Sequence, residues 1–312
     1  MRAAQINQYG GPEVLKTVND APKPTASPGQ VLVEVYAASV NPFDATVRDG
    51  RAQSMAQLNF PATLGGDLAG KVAELGEGAS GFQVGDEVYG QANALSGQGS
   101  FAEFTPVKAI SLAPKPKSLD FTAAAALPLT GVSAYQALVN HLNLQSGQKI
   151  LIHGGAGGIG SFAIQLAKHL GAHVAATAAS EDLDFVKGLG ADEVIDYKTQ
   201  DFSKLLKDYD AVYDTIGAET YAKSFQILKP GGKIVSMKEQ PNEELMRKHQ
   251  VEAISQFTKV TTERLNKVAE LVDNGVLKVN IDKVFPLEET GGALEYLKTG
   301  HTRGKIVIKI KD

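Results

Sequence analysis

The chain has 312 residues, of which 43% are hydrophobic and 21% charged, so we expect a globular protein that is long enough for two domains. Its formal net charge of −4 argues against nucleic acid or an anionic membrane as a partner, because binding either requires a basic excess that displaces counterions. Cysteine is absent, which excludes disulfides, zinc–thiolate sites and a cysteine nucleophile.

The N-terminal residues 1–6 lack the long apolar core that is typical of a signal peptide. The most apolar later run, residues 123–139, is interrupted by Pro128 and by polar side chains, and it is too short to span a membrane. Together with the absence of cysteine, which fits a reducing compartment, these features predict a cytoplasmic protein without a membrane partner.

Strand and turn signals in the first ~120 residues predict a β-rich domain. Residues 31–36 are rich in β-branched and aromatic side chains and follow a Ser-Pro-Gly turn signal at 27–29. Closely spaced glycines between Gly65 and Gly90 favour tight turns between short strands. Residues 115–117 then mark a transition to a helical run.

From about Phe121 strands alternate with helices, a pattern that predicts a doubly wound parallel sheet with right-handed crossovers. Because ligands of such sheets bind at the carboxyl ends of the strands, Thr177, Tyr197 and residues 214–217 are candidate neighbours of a cofactor. The predicted strands are residues 149–152, 173–177, 193–197, 211–214 and 233–236.

A glycine-rich turn follows the first of these strands. Gly155, Gly157 and Gly160 form G-x-G-x-x-G between an apolar strand and a helix whose apolar residues recur at helical spacing. The glycines permit a tight turn, close approach of a pyrophosphate and close packing of helix on strand, while the helix N-terminus supplies free N–H groups. We predict a dinucleotide site formed by Gly155, Ala156, Gly157, Gly158, Ile159 and Gly160.

The C-terminal region returns to strand character. Residues 241–275 are interpreted as mostly helical and polar, whereas residues 279–286 and the alternating run 305–310 are predicted strands. The simplest architecture is a β-rich domain of residues 1–121 plus 270–312, with the dinucleotide-binding domain, residues 122–269, inserted between its two parts.

Several motifs occur in an order and spacing that resemble those of a known family. They are residues 38–44, 65–72, 84–90, 127–131, the glycine turn, 189–192 and 301–305. Over nearly its whole length the chain resembles the zinc-free quinone oxidoreductase (zeta-crystallin-like) branch of the medium-chain dehydrogenase/reductases. The resemblance implies an α/β fold with a β-rich GroES-like domain and a Rossmann domain.

The resemblance also implies hydride transfer without a metal. Asn41 stands where zinc-dependent relatives carry a cysteine, Gly66 stands where they carry a histidine, and the loop of a four-cysteine structural zinc is missing. Asp67 remains, but one carboxylate does not make a zinc site. The implied substrate is therefore a quinone or an α,β-unsaturated carbonyl, which delocalises the incoming charge onto an oxygen.

Such a reaction needs orientation, exclusion of water and a hydrogen-bond donor near that oxygen. We predict Asn41 as the donor, because its amide N–H can donate while remaining neutral. Tyr89 is a second candidate, as a pocket wall or proton source, although it could equally be a packed aromatic side chain. Asp44 is expected to brace the turn, and water could supply the proton.

For the cofactor, the resemblance points to Thr130, the glycine turn, Ser180, Tyr197, Gly217, Arg303 and Lys305. Tyr197 would flank the adenosine ribose, and Arg303 with Lys305 would reach the pyrophosphate. Small residues occupy the position of the acid that NAD-specific enzymes use, which favours NADPH. Asp182, beside Glu181, replaces the family's phosphate-binding lysine, and its negative charge opposes a 2′-phosphate. We therefore predict NADP as the cofactor, with weaker discrimination than the family pattern would suggest and with NAD still possible.

Two other function classes fit the glycine turn. A methyltransferase would need acids before the first glycine and at the end of the second strand. His153 and Thr177 stand there instead, which argues against a methyltransferase. A non-enzymatic NADPH-binding sensor or structural protein would share every binding residue and stays open. The resemblance further implies a homodimer, for which strand edges of the dinucleotide domain offer a pairing surface.

Overall fold

The structure is a computed structural model that describes all residues from Met1 to Asp312. The chain forms two compact units, and each is made of separate segments. The first unit contains Met1–Leu129, Val260–Asp273 and Val279–Asp312, and the second contains Thr130–Lys259 and Asn274–Lys278. The first unit thus extends beyond the predicted boundary at 121 and resumes before the predicted 270.

The N-terminal part of the first unit is mostly strands, with two short helices. Its elements are β1 (Ala3–Ile6), β2 (Lys16–Val18), β3 (Gln30–Ser39), α1 (Pro42–Arg48), β4 (Ala62–Thr63), β5 (Asp67–Leu75), β6 (Glu87–Gln91), β7 (Phe104–Lys108), β8 (Leu112–Pro114) and α2 (Phe121–Ala125).

From Pro128 onward helices and strands alternate, as the sequence predicts. The elements are α3 (Pro128–Tyr135), continued by the π-helical segment Gln136–His141, then β9 (Lys149–Ile152), α4 (Gly158–His169), β10 (His173–Ala178), α5 (Leu183–Gly188), β11 (Glu193–Asp196), α6 (Phe202–Leu205), β12 (Tyr209–Asp214), α7 (Ala218–Ser224), β13 (Leu228–Ser236), α8 (Glu243–His249) and β14 (Glu252–Ser255).

The remaining elements belong to the first unit. They are α9 (Thr262–Asp273), β15 (Ile281–Pro286), α10 (Thr290–Lys298) and β16 (Lys305–Lys309).

The sheet of the second unit has six strands in the order β11-β10-β9-β12-β13-β14, and every pairing in it is parallel. A parallel sheet is covered on both faces, so its central strands are continuously apolar rather than alternating. The side chains of Ile150, Leu151 and Ile152 in β9 are accordingly buried. The doubly wound fold predicted from the sequence is confirmed, and its strands end at one shared edge.

One strand of this sheet was not predicted. Within residues 241–275, interpreted as mostly helical, Glu252–Ser255 form β14 and extend the sheet beyond β13. The two helices α8 and α9 on either side are present. This strand has only two apolar residues, Ala253 and Ile254, whereas the equally short β9 has three in a row, so the flanking helical pattern dominated.

The main sheet of the first unit has seven strands in the order β15-β16-β3-β5-β6-β8, with β7 also paired to β3. β3 lies antiparallel to both β16 and β5, and its last residue, Ser39, is opposite Val307 on one side and Asp67 on the other. The residues that follow β3 therefore lie beside the beginnings of β16 and β5. A separate three-stranded sheet has the order β2-β1-β4.

None of the helices combines the length and the apolar character that a membrane crossing requires.

Candidate active site and cofactor site

Asn41 lies between the end of β3 and the start of α1. Its extended backbone, with φ −131° and ψ 154°, makes it the N-cap of α1, and Pro42 begins the helix. Proline suits that position because its φ is already helical and no N–H is needed there. Only 4% of Asn41 is exposed, so its side chain is held in a dry environment.

The side-chain amide of Asn41 lies between a cation and a carboxylate. Lys305 Nζ donates to Asn41 Oδ1 at 2.5 Å, and Asn41 Nδ2 donates to Asp67 Oδ2 at 2.9 Å. Ammonium can only donate and an ionised carboxylate can only accept, so one orientation of the amide satisfies both neighbours. Asp67 takes one of the two Nδ2 hydrogens, and the second remains for another acceptor.

Asp67 is the fully buried carboxylate of this cluster. Besides Asn41, its donors are Gln91 Nε2 at 3.0 Å, the Leu129 N–H at 3.2 Å and Ser39 Oγ at 3.4 Å. Burial raises the pKa of Asp67, while the charge of Lys305 and these hydrogen bonds oppose the rise. Asp67 is thus anchored by β3, β5 and β6 together.

Asp44 is a second buried carboxylate, in the first turn of α1. Its Oδ2 accepts the backbone N–H of Asn41 at 2.7 Å, as expected for a residue that braces the turn. Burial raises the pKa of Asp44 to about 7, with a further contribution from the negative charge of Asp67 and opposition from the Asn41 N–H and Lys305. Near neutral pH this group therefore changes its charge.

Lys305, at the start of β16, is placed differently from the prediction. Its ammonium donates to the Val40 carbonyl at 2.7 Å and to Asn41, and only 5% of the residue is exposed. Burial lowers the pKa of Lys305, and the carboxylates of Asp67 and Asp44 oppose that shift. A side chain committed to two buried acceptors does not extend to a pyrophosphate. Arg303, its predicted companion, lies exposed on the loop before β16.

Tyr89, in β6, is also placed differently from the prediction. The side chain is fully buried, and its hydroxyl donates to the Leu265 carbonyl at 2.5 Å. Burial is the main cause that raises its pKa far above the ordinary value, with a smaller contribution from Asp273. A hydroxyl that is already engaged and resists ionisation does not serve as a proton source, so the packed-aromatic interpretation fits the structure.

In the second unit the glycine turn joins β9 to α4. The Gly155 N–H donates to the Thr177 carbonyl at 2.9 Å, and the Gly157 N–H donates to the Gly154 carbonyl at 3.1 Å. A Cβ on Gly160 would lie 2.1 Å from the Gly154 oxygen, so close packing requires glycine there. A Cβ on Gly157 would meet only that oxygen, at 3.4 Å. Steric fit within the chain therefore does not explain Gly157.

Free N–H groups face the same turn. Gly158, Ile159 and Gly160 form the first turn of α4, where backbone N–H groups have no acceptor four residues earlier within the helix. The helix dipole adds partial positive charge at this end. The turn is open at Gly157, carries the partial positive charge of the helix end and lies at the carboxyl edge of the sheet, and these are properties that fit a pyrophosphate.

Polar side chains follow β10 and β11 at that edge. Ser180 Oγ donates to Asp196 Oδ2 at 2.5 Å, and Lys198 Nζ pairs with both oxygens of Glu181 at 3.0 Å. Tyr197 is 58% exposed, which is unusual for an aromatic side chain at a strand end. Asp182, by contrast, is buried. The acid that would compete with a cofactor phosphate for Lys198 is therefore Glu181.

The two remaining predicted cofactor residues also lie in the second unit. Gly217 has φ +86° and is the N-cap of α7. Its N–H and that of Ile216 both donate to Asp214 Oδ1 at 3.0 Å, so a buried carboxylate fixes the loop after β12. Thr130 is buried in α3.

Sequence reasoning missed the cluster formed by Asn41, Asp44, Asp67 and Lys305. Asp67 was considered only as an incomplete metal ligand, and Lys305 was assigned with Arg303 to the pyrophosphate of the cofactor. No local signal joins them, because they come together through the pairing of β3 with β5 and β16. Within the described chain, no group of three or more histidine, cysteine, aspartate or glutamate residues is arranged to hold a metal ion.

Comparison with known proteins identifies a family for each part of the chain. Residues 27–117 match the family model described as the alcohol dehydrogenase GroES-like domain, and residues 189–308 match the one described as zinc-binding dehydrogenase. The chain is 37% identical to the chloroplastic NADPH-dependent alkenal/one oxidoreductase of Arabidopsis thaliana over 322 residues, covering 99% of this chain and 79% of that protein.

Solved structures give the same result. The quinone oxidoreductase from Coxiella burnetii matches with a TM-score of 0.92 and 36% identity, covering 100% of this chain and 99% of that one. The Escherichia coli quinone oxidoreductase complexed with NADPH matches with a TM-score of 0.89 and 26% identity, covering 99% and 100%. With these likenesses over its full length, and with the GroES-like and Rossmann folds both present, the chain belongs to the medium-chain dehydrogenase/reductase family.

Proposed function

We propose that the protein is an NADPH-dependent oxidoreductase that reduces quinones or α,β-unsaturated carbonyl compounds. Relatives that cover nearly the whole chain are named as an alkenal/one oxidoreductase and as quinone oxidoreductases. Both substrate types contain a conjugated carbonyl that accepts a hydride and gathers the resulting charge on oxygen. One site can serve both, because the same oxygen needs stabilisation in each.

The second unit supplies the cofactor half of this reaction. The open turn at Gly157 and the free N–H groups at the start of α4 fit the pyrophosphate, and the polar groups after β10 and β11 fit the adenosine end. When bound, the reduced nicotinamide supplies the hydride. We place Gly155, Ala156, Gly157, Gly158, Ile159, Gly160, Ser180, Tyr197, Gly217 and Thr130 in this cofactor site, as the resemblance implies. The resemblance also assigns Arg303, a residue of the first unit, to the cofactor.

Asn41 is the proposed catalytic residue, and the observation that carries this assignment is its clamped amide. One Nδ2 hydrogen is bonded to Asp67 and Oδ1 is bonded to Lys305, so the second Nδ2 hydrogen has a fixed direction. A preorganised donor aimed at developing charge in a dry site stabilises a transition state without reorganisation. The proton that completes the product then comes from water.

We further propose that the reaction needs no metal ion. Where zinc-dependent relatives hold a cation with cysteine and histidine, this chain has Asn41 and Gly66, and the ammonium of Lys305 lies against Asn41. An amide oxygen and a lone carboxylate, already occupied by hydrogen bonds, are a poor set of zinc ligands. Charge stabilisation on the substrate oxygen is assigned to the hydrogen bond instead.

NADPH is the proposed cofactor, with weak discrimination against NADH. Ser180 and Lys198 at the carboxyl edge are suited to a 2′-phosphate, and Thr177 and Ala178 present no acid to a ribose hydroxyl. Glu181 holds Lys198, however, and its charge opposes a phosphate.

A homodimer and a cytoplasmic location are also part of the proposal. β14 pairs only with β13 and presents a free edge, which is a surface suited to pairing with a second copy. The absence of cysteine fits a reducing compartment. Sedimentation of the purified protein distinguishes a dimer from a 33.0 kDa monomer, and fractionation of the source cells tests the location.

A screen of cofactor oxidation across quinones, alkenals and enones tests the function, with NADPH and NADH compared in parallel. We expect turnover of at least one class with NADPH, and product analysis should show reduction of the conjugated double bond or of the quinone. Tight NADPH binding without turnover of any of them would instead support the non-enzymatic sensor.

A further inference from the structure

We propose that Lys305 is a positioning residue that acts on the substrate oxygen through Asn41. This inference rests on the proposed function, because it assumes that the Asn41 amide is the donor to that oxygen. It assigns a new role to Lys305 and removes it from the cofactor site.

The first argument is the orientation of the amide. An asparagine side chain has two orientations related by a flip, which exchange its oxygen and its NH₂ group. In one of them, Lys305 Nζ meets Oδ1 at 2.5 Å and Asp67 Oδ2 meets Nδ2 at 2.9 Å. The flipped orientation would place NH₂ against the ammonium and oxygen against the carboxylate. Lys305 therefore helps to select the orientation in which N–H is available to substrate.

The second argument is polarisation. An ammonium bonded to an amide oxygen draws electron density toward that oxygen, which makes the N–H groups of the same amide stronger donors. Oδ1 accepts from the ammonium at 2.5 Å, and Asn41 is only 4% exposed. The Nδ2 hydrogen that Asp67 does not accept is therefore a stronger donor to substrate than the hydrogen of an unpolarised amide would be.

The third argument is that the position of Lys305 is firmly determined. The ammonium is held by the Val40 carbonyl at 2.7 Å as well as by Asn41. Lys305 begins β16, which is paired with the end of β3, so strand register brings the lysine to the residue that follows β3. Asp67 lies at the start of the neighbouring strand β5. Lysine, amide and carboxylate are thus fixed by three adjacent strands.

A double-mutant cycle separates a role through Asn41 from a general role in stability. The variants are Asn41→Ala, Lys305→Met and the double mutant, with kcat and KM measured for one enone and one quinone. Lys305→Met should lower kcat roughly tenfold in the wild-type background and less than about twofold in the Asn41→Ala background. KM for NADPH should change little, because neither acceptor of the Lys305 ammonium belongs to the proposed cofactor site.

Lys115→Met is the matched control. Lys115 is also a lysine of the first unit with a largely buried side chain, but its Nζ donates to the carbonyls of Pro116 and Leu119 and pairs with Glu87 Oε2 at 3.3 Å. Its loss should lower the melting temperature without a selective loss of kcat. If Lys305→Met fails to fold, the comparison is made in an Asp67→Asn background, in which the partner carboxylate is also removed.

Chemical rescue gives a second readout. Because the chain contains no cysteine, Lys305→Cys creates a unique thiol that can be alkylated in denaturant before refolding. Aminoethylation restores an ammonium at nearly the original length, whereas ethylation gives a neutral side chain. We expect recovery of kcat with the aminoethyl product and not with the ethyl product.

The outcomes are distinguishable. A loss on Lys305→Met that is as large in the Asn41→Ala background as in the wild type would overturn the inference, as would equal activity of the ethyl and aminoethyl products. If Asn41→Ala itself leaves kcat unchanged, or if the wild type turns over no enone or quinone, the proposed function fails at an earlier step.

Discussion

The backbone N–H of Asn41 donates to Asp44 Oδ2 across 2.7 Å, so the turn that presents the proposed catalytic amide is capped by a buried carboxylate. The same contact links the position of Asn41 to the protonation of Asp44. Burial raises the pKa of Asp44 to about 7 from an ordinary value of 3.8. Stability of this region therefore depends on pH.

The first prediction concerns that dependence. Between pH 3.8 and about 7 the folded protein retains a proton on Asp44 that the unfolded chain has lost. Because the folded state then binds more protons, the free energy of unfolding falls as pH rises through this window, with a slope of up to about 1.4 kcal/mol per pH unit from this group. Asp44→Asn keeps an oxygen acceptor for Asn41 but removes the titration, so the variant should lack this slope.

Denaturant unfolding of wild type and Asp44→Asn between pH 5 and 8, at intervals of about one pH unit, measures this difference in the free energy of unfolding. Asp86→Asn is the control, because Asp86 makes the same local contact with the N–H of Gln83, at 2.7 Å, but is exposed. Parallel pH profiles for wild type and Asp44→Asn would contradict the assignment of this proton to Asp44.

A second prediction distinguishes two glycines of the turn. Gly160→Ala places a Cβ 2.1 Å from the Gly154 oxygen and should destabilise the second unit by several kcal/mol, roughly as overpacking does. Gly157→Ala has room in the structure, so its melting temperature should stay close to that of the wild type. Its dissociation constant for NADPH should nevertheless rise at least about tenfold, because the pyrophosphate approaches there. Unchanged NADPH affinity of Gly157→Ala in a titration would show that the pyrophosphate does not bind at this turn.

The third prediction is that Glu181 limits the preference for NADPH. The pair Lys198–Glu181 is half-exposed, at 41% and 45%, so its electrostatic effect is screened and modest. Glu181→Gln should release Lys198 and lower KM for NADPH about threefold at low salt, with KM for NADH unchanged because NADH lacks the 2′-phosphate. Glu252→Gln, which breaks the similar pair with Lys233 at the opposite ends of the strands, should alter neither KM. Equal changes for both cofactors would show that Lys198 does not meet the phosphate.

Metal removal supplies a fourth prediction. Exhaustive chelation should leave kcat within about twofold of the untreated protein, because the groups beside Asn41 are an ammonium and hydrogen-bonded carboxylates rather than metal ligands. Elemental analysis of the chelated sample is the necessary control. Stoichiometric zinc whose removal abolishes activity would contradict the metal-free mechanism.

The sequence predicted the parts of this protein that depend on local patterns. Apolar runs identified β9 and its neighbours, and the G-x-G-x-x-G spacing after β9 identified the turn at Gly155 because strand, turn and helix are contiguous in the chain. The family of the chain, inferred from ordered motifs, is confirmed. The short edge strand β14 was missed because it lacks a continuous apolar run such as residues 150–152 of β9.

The contacts of the proposed site could not be predicted in the same way. Lys305 and Asn41 are separated by most of the chain and meet only through the register of β16 against β3. Nothing in the alternating run that begins at Lys305 shows that this lysine is buried while Lys309 of the same strand is exposed. Tyr89 likewise has a side chain that could serve in a site, and only its contact with Leu265 identifies it as a packing residue.

The central claim is that the Asn41 amide, without a metal, stabilises charge on the substrate oxygen. Its most direct test is kcat for NADPH-dependent reduction of an enone by chelated wild type and by Asn41→Ala, with NADPH affinity measured on the same samples. Loss of one oriented donor in a dry site should lower kcat by on the order of 10²-fold while the NADPH dissociation constant stays nearly unchanged. Equal kcat values for the two proteins would contradict the claim and leave Asn41 as a turn residue.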